Sequence, residues 1–256
     1  MGFAERDAPA NCRAMRVAVI TPYFRESLDQ LRRCHESVAS QTYGNVTHFM
    51  VADGHPQDEV GLWPVRHIQL PWSHRDFGDT PRAVAAMSAS SQGFDAIAFL
   101  DADNWYEPHH IETLVRRQAE TGAAVVTATR NLYRPDGSFM AVCKQSNGID
   151  FCDMNCFFIT RAAFGAIGAW AFKDPRASII DDYILWSIIK GSNALLAHSP
   201  TPTVNYVTMW ALTYIQHGEE PPPGSRCMLR SPDAPYPGLF DYWEVRRKHE
   251  AGEPIT

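Results

Sequence analysis

Three short acidic segments stand out in a chain of 256 residues: Asp53-Gly54, Asp101-Ala102-Asp103 and Asp181-Asp182. The middle one directly follows the apolar run Ala96-Ile97-Ala98-Phe99-Leu100. In extended backbone, residues two apart point the same way, so Asp101 and Asp103 can turn both carboxylates to one point. Two hard oxygen ligands suit Mg²⁺ or Mn²⁺, ions that keep their other positions for water and phosphate oxygens. An Asp-x-Asp alone is equally an ordinary surface turn; its place at the end of a buried strand favours the cation. His198 and His217 are candidate third ligands, weighed against the commoner structural role of a lone histidine. The six cysteines (12, 34, 143, 152, 156 and 227) form no CxxC pair and no compact disulfide framework. Cys152 and Cys156 therefore read as buried free thiols in a reducing compartment.

These residues need elements to position them. Arg16 to Ile20 is a β-branched run ended by Thr21-Pro22, a strand followed by a break. Leu28, Leu31, Cys34, His35, Val38 and Ala39 recur at helical spacing, with Ser27 as N-cap. Strands are predicted over 46–52 and 65–70, then a helix capped by Thr80 with Pro81 at its first position. The buried strand 96–100, a helix from Pro108 to about Glu120 and a strand over 123–129 follow. Strands alternating with helices predict an α/β fold, a mostly parallel central sheet flanked by helices. Ligands of such sheets gather at the carboxyl ends of the strands. Thr21-Pro22-Tyr23, Asp53-Gly54 and Asp101-Ala102-Asp103 all fall there.

Beyond residue 130 the rhythm changes. Arg134-Pro135-Asp136-Gly137 reads as a turn between antiparallel strands. Residues 179–190 read as a helix stopped by Gly191, and Ser178 stands at capping-box spacing from Asp181. Residues 218–239 hold six prolines, which predicts a loop over the site or a wrapping tail without regular structure.

Taken together, the chain resembles a family-2 glycosyltransferase of the GT-A fold, a Rossmann-like nucleotide-diphospho-sugar transferase. The resemblance rests on Val17-Ala18-Val19-Ile20-Thr21-Pro22-Tyr23, Ser37-Val38-Ala39-Ser40-Gln41-Thr42-Tyr43, Phe49-Met50-Val51-Ala52-Asp53-Gly54, Thr80-Pro81-Arg82-Ala83 and Ala98-Phe99-Leu100-Asp101-Ala102-Asp103-Asn104. These motifs cover the first 130 residues, about half of the chain. The resemblance implies a nucleotide-sugar donor, with a UDP-sugar first in line, and Mn²⁺ or Mg²⁺ as cofactor. It places Thr21, Pro22 and Tyr23 along base and ribose, Asp53 on the uracil N–H and Arg82 on base or diphosphate. Asp103 becomes the direct metal ligand, and Asp101, beside Ala102, serves ribose or metal. Asp181-Asp182-Tyr183-Ile184-Leu185-Trp186 resembles the family's acidic pair, implying Asp182, or alternatively Asp181, as the base of an inverting transfer. Asp153 and Asn155 lie in a further family-like segment and are expected at the sugar or acceptor, as is Trp105 as a stacking platform. Trp186 is expected in the core. Ala52 and Phe24 depart from the pattern, at places often held by Asp and Asn.

The expected organisation is a flexible extension over 1–14, a catalytic domain over 15–217 and a Pro-rich loop and tail over 218–256. Within the domain, 15–130 would bind the nucleotide sugar and 131–217 serve the acceptor. The acceptor is left open among glycan, lipid-linked and small-molecule hydroxyls, with glycan or surface polysaccharide synthesis and hexosyl or N-acetylhexosaminyl transfer expected. The net charge of −6 argues against nucleic acid as a partner. No apolar run reaches the roughly 18 residues of a bilayer span, and residues 1–13 do not read as a signal peptide. A cytoplasmic enzyme is expected, with at most peripheral contact at the inner membrane face through Arg246-Arg247-Lys248; the alternative for that cluster is a solvated helix face near Glu244 and Glu250. Oligomeric state is not legible. A nucleotidyltransferase is disfavoured because no glycine follows the first strand, where a triphosphate loop would need it. A nucleotide-binding scaffold without turnover is the other alternative.

Overall fold

The structure is a computed structural model and describes residues 14–230 and 233–254, so the expected flexible extension lies, but for residue 14, outside the described residues. The chain opens with β1 (Val17–Tyr23), α1 (Leu28–Ala39), β2 (Val46–Asp53), β3 (Arg66–Leu70), α2 (Asp79–Ser91) and β4 (Ala96–Phe99). It continues with β5 (Trp105–Tyr106), α3 (His110–Thr121), β6 (Val125–Tyr133), β7 (Phe139–Val142), β8 (Phe157–Thr160) and α4 (Phe164–Ala171). The last part holds α5 (Asp181–Gly191), β9 (Leu196–Val207), α6 (Ala211–Gln216), β10 (Arg226–Leu229), β11 (Gly238–Asp241) and α7 (Tyr242–Ala251).

One sheet runs β3-β2-β1-β4-β8-β6-β9-β5, with β7 paired to β6. The β3, β2, β1 and β4 strands are parallel. The β8 strand enters antiparallel between β4 and β6, and β6 and β9 are again parallel to each other. This is the mixed end of an otherwise parallel sheet. Every residue of β4 is buried, as befits a short apolar strand covered on both faces. Truncating one of its large side chains, as in Phe99→Ala, would cost about 3–5 kcal/mol.

Helix α1 starts where Ser27 predicts, with a full capping box between Ser27 and Gln30. Its C-terminal Gln41-Thr42-Tyr43 segment is a staple. The Gln41 amide bonds the Ile111 N–H (2.9 Å), the Ser37 carbonyl (2.9 Å) and the Glu107 carbonyl (2.8 Å). Tyr43 donates to the Met15 carbonyl at 2.8 Å. One short motif thereby joins α1, α3 and the entry to β1.

Four boundaries differ from expectation. Strand β1 continues through Thr21-Pro22 to Tyr23, because beyond Ile20 it is paired by β2 alone and Pro22 can occupy the strand without a second partner. Gly78, not Thr80, is the N-cap of α2; the Thr80 amide and hydroxyl both donate to Asp76 (2.9 and 2.6 Å). Residues 175–180 form a 3₁₀ turn leading into α5, whose N-cap Ile180 has no side-chain cap bond. The Ser178–Asp181 capping box is therefore not formed. The Pro-rich stretch is not wholly irregular: Pro221-Pro222-Pro223 precedes the hairpin β10–β11, and Asp241 caps α7 through the Trp243 and Glu244 amides.

On α7, Arg246 pairs with Glu250 (2.9 Å), Lys248 with Glu244 (3.1 Å) and Arg247 with Glu253 (3.2 Å), so this cluster is a charge-balanced helix face. Among the described residues no helix is long and apolar enough to cross a membrane, and Cys34, Cys143, Cys152, Cys156 and Cys227 are free thiols.

Candidate active site

The carboxyl ends of β1, β2 and β4 open into a cavity of about 960 Å³. Pro22, Tyr23, Asp53, Arg82, Asp101, Ala102 and Asp103 line one side of it; Asp153, Asp181 and Asp182, from the other half of the chain, line it too. Residues some 80 positions apart are thus brought to one space by the crossover through β8 and α5.

The Asp101–Asp103 turn is held from several directions. Asn104 donates its amide to the Asp101 carbonyl (3.0 Å), and its side chain, fully buried, accepts from the Val207 amide of β9 (2.8 Å). Arg33 spends its guanidinium on the Asp103 carbonyl (2.6 Å). Asn155, buried beneath the turn, accepts from the Asp101 amide (2.6 Å) and donates to the Asp101 carboxylate (2.8 Å) and to Asp153 (2.8 Å). The remaining Asp101 oxygen meets Arg82 in a short ion pair. The Asp101 carboxylate is therefore spoken for by Arg82 and Asn155.

Asp103 is different. No ion-pair partner is present for its carboxylate among the described residues. Burial, then the Asp101 and Glu26 charges, push its pKa up to about 7. A site short of positive charge in this way fits a divalent cation that would take one or two carboxylates and otherwise use water and phosphate oxygens. A closed protein cage does not fit: among the described residues no three His, Cys, Asp or Glu side chains group to hold a metal.

Arg82 is buried between two acidic pairs. It contacts Asp101, lies 3.8 Å from Asp79 and 4.0 Å from Asp181, and donates to the Phe77 carbonyl at 2.9 Å. Burial by itself would lower its pKa, but Asp101, Asp181 and Asp79 outweigh this and hold it above its ordinary value. Lys173 completes the network at 2.5 Å from Asp79. Burial, then Asp79 and Asp182, raise Asp181 well above the carboxylate range. Asp182 faces the cavity, accepting the Tyr183 amide on one oxygen (2.8 Å); burial, then Asp153, push it up to about 7.

The loop between β3 and α2 forms another part of the wall. Asp53 accepts from Ser73 Oγ (3.0 Å), the His74 amide (3.0 Å) and His74 Nδ1 (2.7 Å), so both of its oxygens are engaged by this loop. Gly54 makes the close approach possible: a Cβ there would lie 2.3 Å from the Ser73 nitrogen. Arg75 and Phe77 occupy left-handed φ of 56° and 58°, and Gly78 follows at 87°. Strain of this kind persists where the surroundings over-determine the backbone, often at ligand sites.

Several expected residues are placed elsewhere. Thr21 is buried under the cavity, bonded to His48 Nε2 at 2.9 Å, because its strand position turns it into the sheet packing against α1. Trp105 does not line the cavity; it stacks under Arg33 (4.2 Å) and against Tyr133 (4.8 Å). Asn155 touches Asp101 and Asp153 and does not line the cavity. His217 bonds the Thr213 carbonyl of its own helix (2.8 Å) and borders a separate cavity of about 260 Å³. His198 is held by Thr127 (2.8 Å) and Thr129 (3.1 Å). Neither histidine joins the Asp pair. Trp186 is core, as expected.

Sequence reasoning missed Arg130 and the aromatic wall. Arg130 is buried, paired with Asp153 and stacked on Tyr206 at 4.1 Å; the Tyr206 hydroxyl receives Trp210 Nε1 at 3.1 Å. Breaking such a buried pair from one side costs about 3–5 kcal/mol. No local signal marks Arg130, which sits inside a strand pattern; only the approach of 153 identifies its partner.

The glycosyl transferase family 2 model matches residues 18–173, more than half of the chain. The chain belongs to this family, with the GT-A fold. Among solved structures, S. aureus TarS residues 1–349 superpose with a TM-score of 0.58 at 14% identity, covering 75% of this chain and 60% of that one. The same TarS segment in complex with UDP gives 0.57 at 14% identity over 76% of this chain and 61% of that one. A longer TarS structure gives 0.58 at 13% identity, with 78% and 38% covered. The chain thus spans about 60% of the shorter TarS chain and 38% of the longer one. Comparison with curated protein sequences returned no match.

Proposed function

We propose that the chain transfers a sugar from a nucleotide-sugar donor, a UDP-sugar first, to an acceptor hydroxyl with inversion at the anomeric carbon. The observation that carries this reading is the meeting of Asp101–Asp103 and Asp182 on one cavity from opposite halves of the chain. Tyr23, Pro22 and the loop fixed by Asp53 form the nucleotide side. Asp103 and, through its held geometry, Asp101 would hold Mn²⁺ or Mg²⁺, whose charge when bound stabilises a departing diphosphate. Arg82 pairs with Asp101 and orients it. Asp182, with a pKa pushed up to about 7, is suited to accept the acceptor hydroxyl proton near neutral pH. Asp181, half-buried between Asp79 and Arg82, is a structural partner of that network and not the base. Asp153, locked to Arg130, shapes the floor between donor and acceptor.

The test is a panel of UDP-sugars with Mn²⁺ or Mg²⁺, following thermal stabilisation and slow donor hydrolysis. Metal-dependent stabilisation and hydrolysis by one donor are expected. An Asp103→Ala protein that keeps metal-dependent turnover would falsify the cation assignment, and no nucleotide binding at all would remove the donor reading.

A further inference from the structure

The part of the cavity remote from the nucleotide side is built from α5, α6 and the β10–β11 hairpin. It carries large apolar side chains that are open to solvent. Leu212 is 60% exposed and Ile215 50%, three apart on α6 and therefore on one face; Met228 of β10 is 40% and Tyr183 of α5 51% exposed. All four line the cavity. Tyr183 follows Asp182 in sequence and packs its ring, tilted, against Phe151 at 4.5 Å, which also lines the cavity. The hairpin is anchored, since Arg226 donates its amide to the Met209 carbonyl at 2.7 Å and Tyr242 donates to Ser225 at 2.8 Å.

Grouped exposed apolar side chains are a cost in water unless a partner covers them. They line the same cavity as the carboxylate assigned as base, so a group that covers them can present a hydroxyl to Asp182. A bare sugar, ringed with hydroxyls, would leave this wall uncovered. We infer that the acceptor is an amphiphile, a hydroxyl-bearing head joined to an apolar alkyl or aryl group that lies against Leu212, Ile215 and Met228. This rests on the transferase reading above.

The experiment measures binding of methyl, phenyl and n-octyl β-D-glucoside to the UDP- and Mn²⁺-loaded protein, below micelle concentration. It compares the wild type with Leu212→Ser/Ile215→Ser and with Met228→Ser; these sites are exposed, so folding is expected to survive. The octyl or phenyl glucoside is expected to bind about tenfold or more tightly than the methyl glucoside. Which of the two gains more distinguishes a lipid-like from an aromatic group. The double variant is expected to lose most of that preference while UDP binding stays within twofold. Equal binding of all three glucosides, or an undiminished preference in the variants, overturns the inference. So does Leu212- and Ile215-dependent sedimentation with phosphatidylcholine vesicles without glucoside preference, which would make the face a membrane contact. Failure of UDP itself to bind would instead strike the transferase reading, and is read separately in the first arm.

Discussion

The two acidic pairs at the cavity are built alike and from different materials. Asp101–Asp103 follows a buried strand of the parallel half, while Asp181–Asp182 opens a helix in the second half. In each, one carboxylate is tied into the network around Arg82 and the other faces the cavity with its pKa pushed up to about 7. Arg82 thus divides each pair into a held member and one left to the cavity. The difference lies in the neighbours: Asp103 has Asp101 and Glu26 charges beside it, suited to a cation, whereas Asp182 borders Asp153 and an aromatic wall, suited to a hydroxyl. Two identical residue types acquire different chemistry from their surroundings.

Breaking the second pair should have the largest effect. Asp182→Asn is expected to lower transfer by about 10²–10⁴-fold with UDP binding retained, measured by product formation and by nucleotide titration; lost UDP binding would move this residue to the donor side. In the wild type, turnover should rise with pH through about 7, since the protonated carboxyl cannot accept a proton. The same raised value means that the folded chain holds this proton longer than the unfolded one. Stability therefore falls as pH rises from about 4 toward 7; Asp182→Asn should flatten the turnover curve and remove only its own share of the stability curve, since Asp103 and Asp181 are raised too.

Removing the shared cation comes next. Arg82→Met leaves the buried Asp79 and the cavity-lining Asp101 and Asp181 facing one another without this cation, at a cost of up to about 3–5 kcal/mol, read by urea unfolding. If unfolding is unchanged, the two pairs are independent.

Asn155 separates geometry from charge. Asn155→Ala should cost about 1–3 kcal/mol and weaken Mn²⁺ activation more than it changes UDP binding without metal. Asn155→Asp sets a third carboxylate against Asp101 and Asp153 and should be worse; equal behaviour of the two variants would show that only packing matters there.

The smallest effect belongs to a residue outside both pairs. His217→Ala should alter Mn²⁺ activation less than twofold and stability by under about 0.5 kcal/mol. A large loss of Mn²⁺ affinity would reinstate it as a ligand.

Local features were legible where physics is local. The Ser27 cap, the buried run 96–100, the Arg134–Gly137 turn and the carboxylates at the strand ends all follow from spacing and side-chain chemistry over a few residues. The start of α2 was misread because Thr80 is a good capping residue and yet its hydroxyl is taken by Asp76. The Pro-rich tail was misread because proline counts forbid helix and central strand, whereas a two-stranded hairpin beside three prolines breaks no such rule. Trp105 was placed by nearness in sequence and the two histidines by residue type, neither of which fixes the direction of a side chain.

The sequence by itself marked candidates for the chemistry: the Asp101–Asp103 pair by type and spacing, because a carboxylate's capacity to bind a cation is intrinsic, and Asp182 and Arg82 through the family resemblance. Only the tertiary structure decided which of them is available for it. That choice depends on which oxygens are already engaged and how deeply each carboxylate is buried, and both are set by Arg82, Asn155 and Asp79, which reach the site from separate elements of the fold.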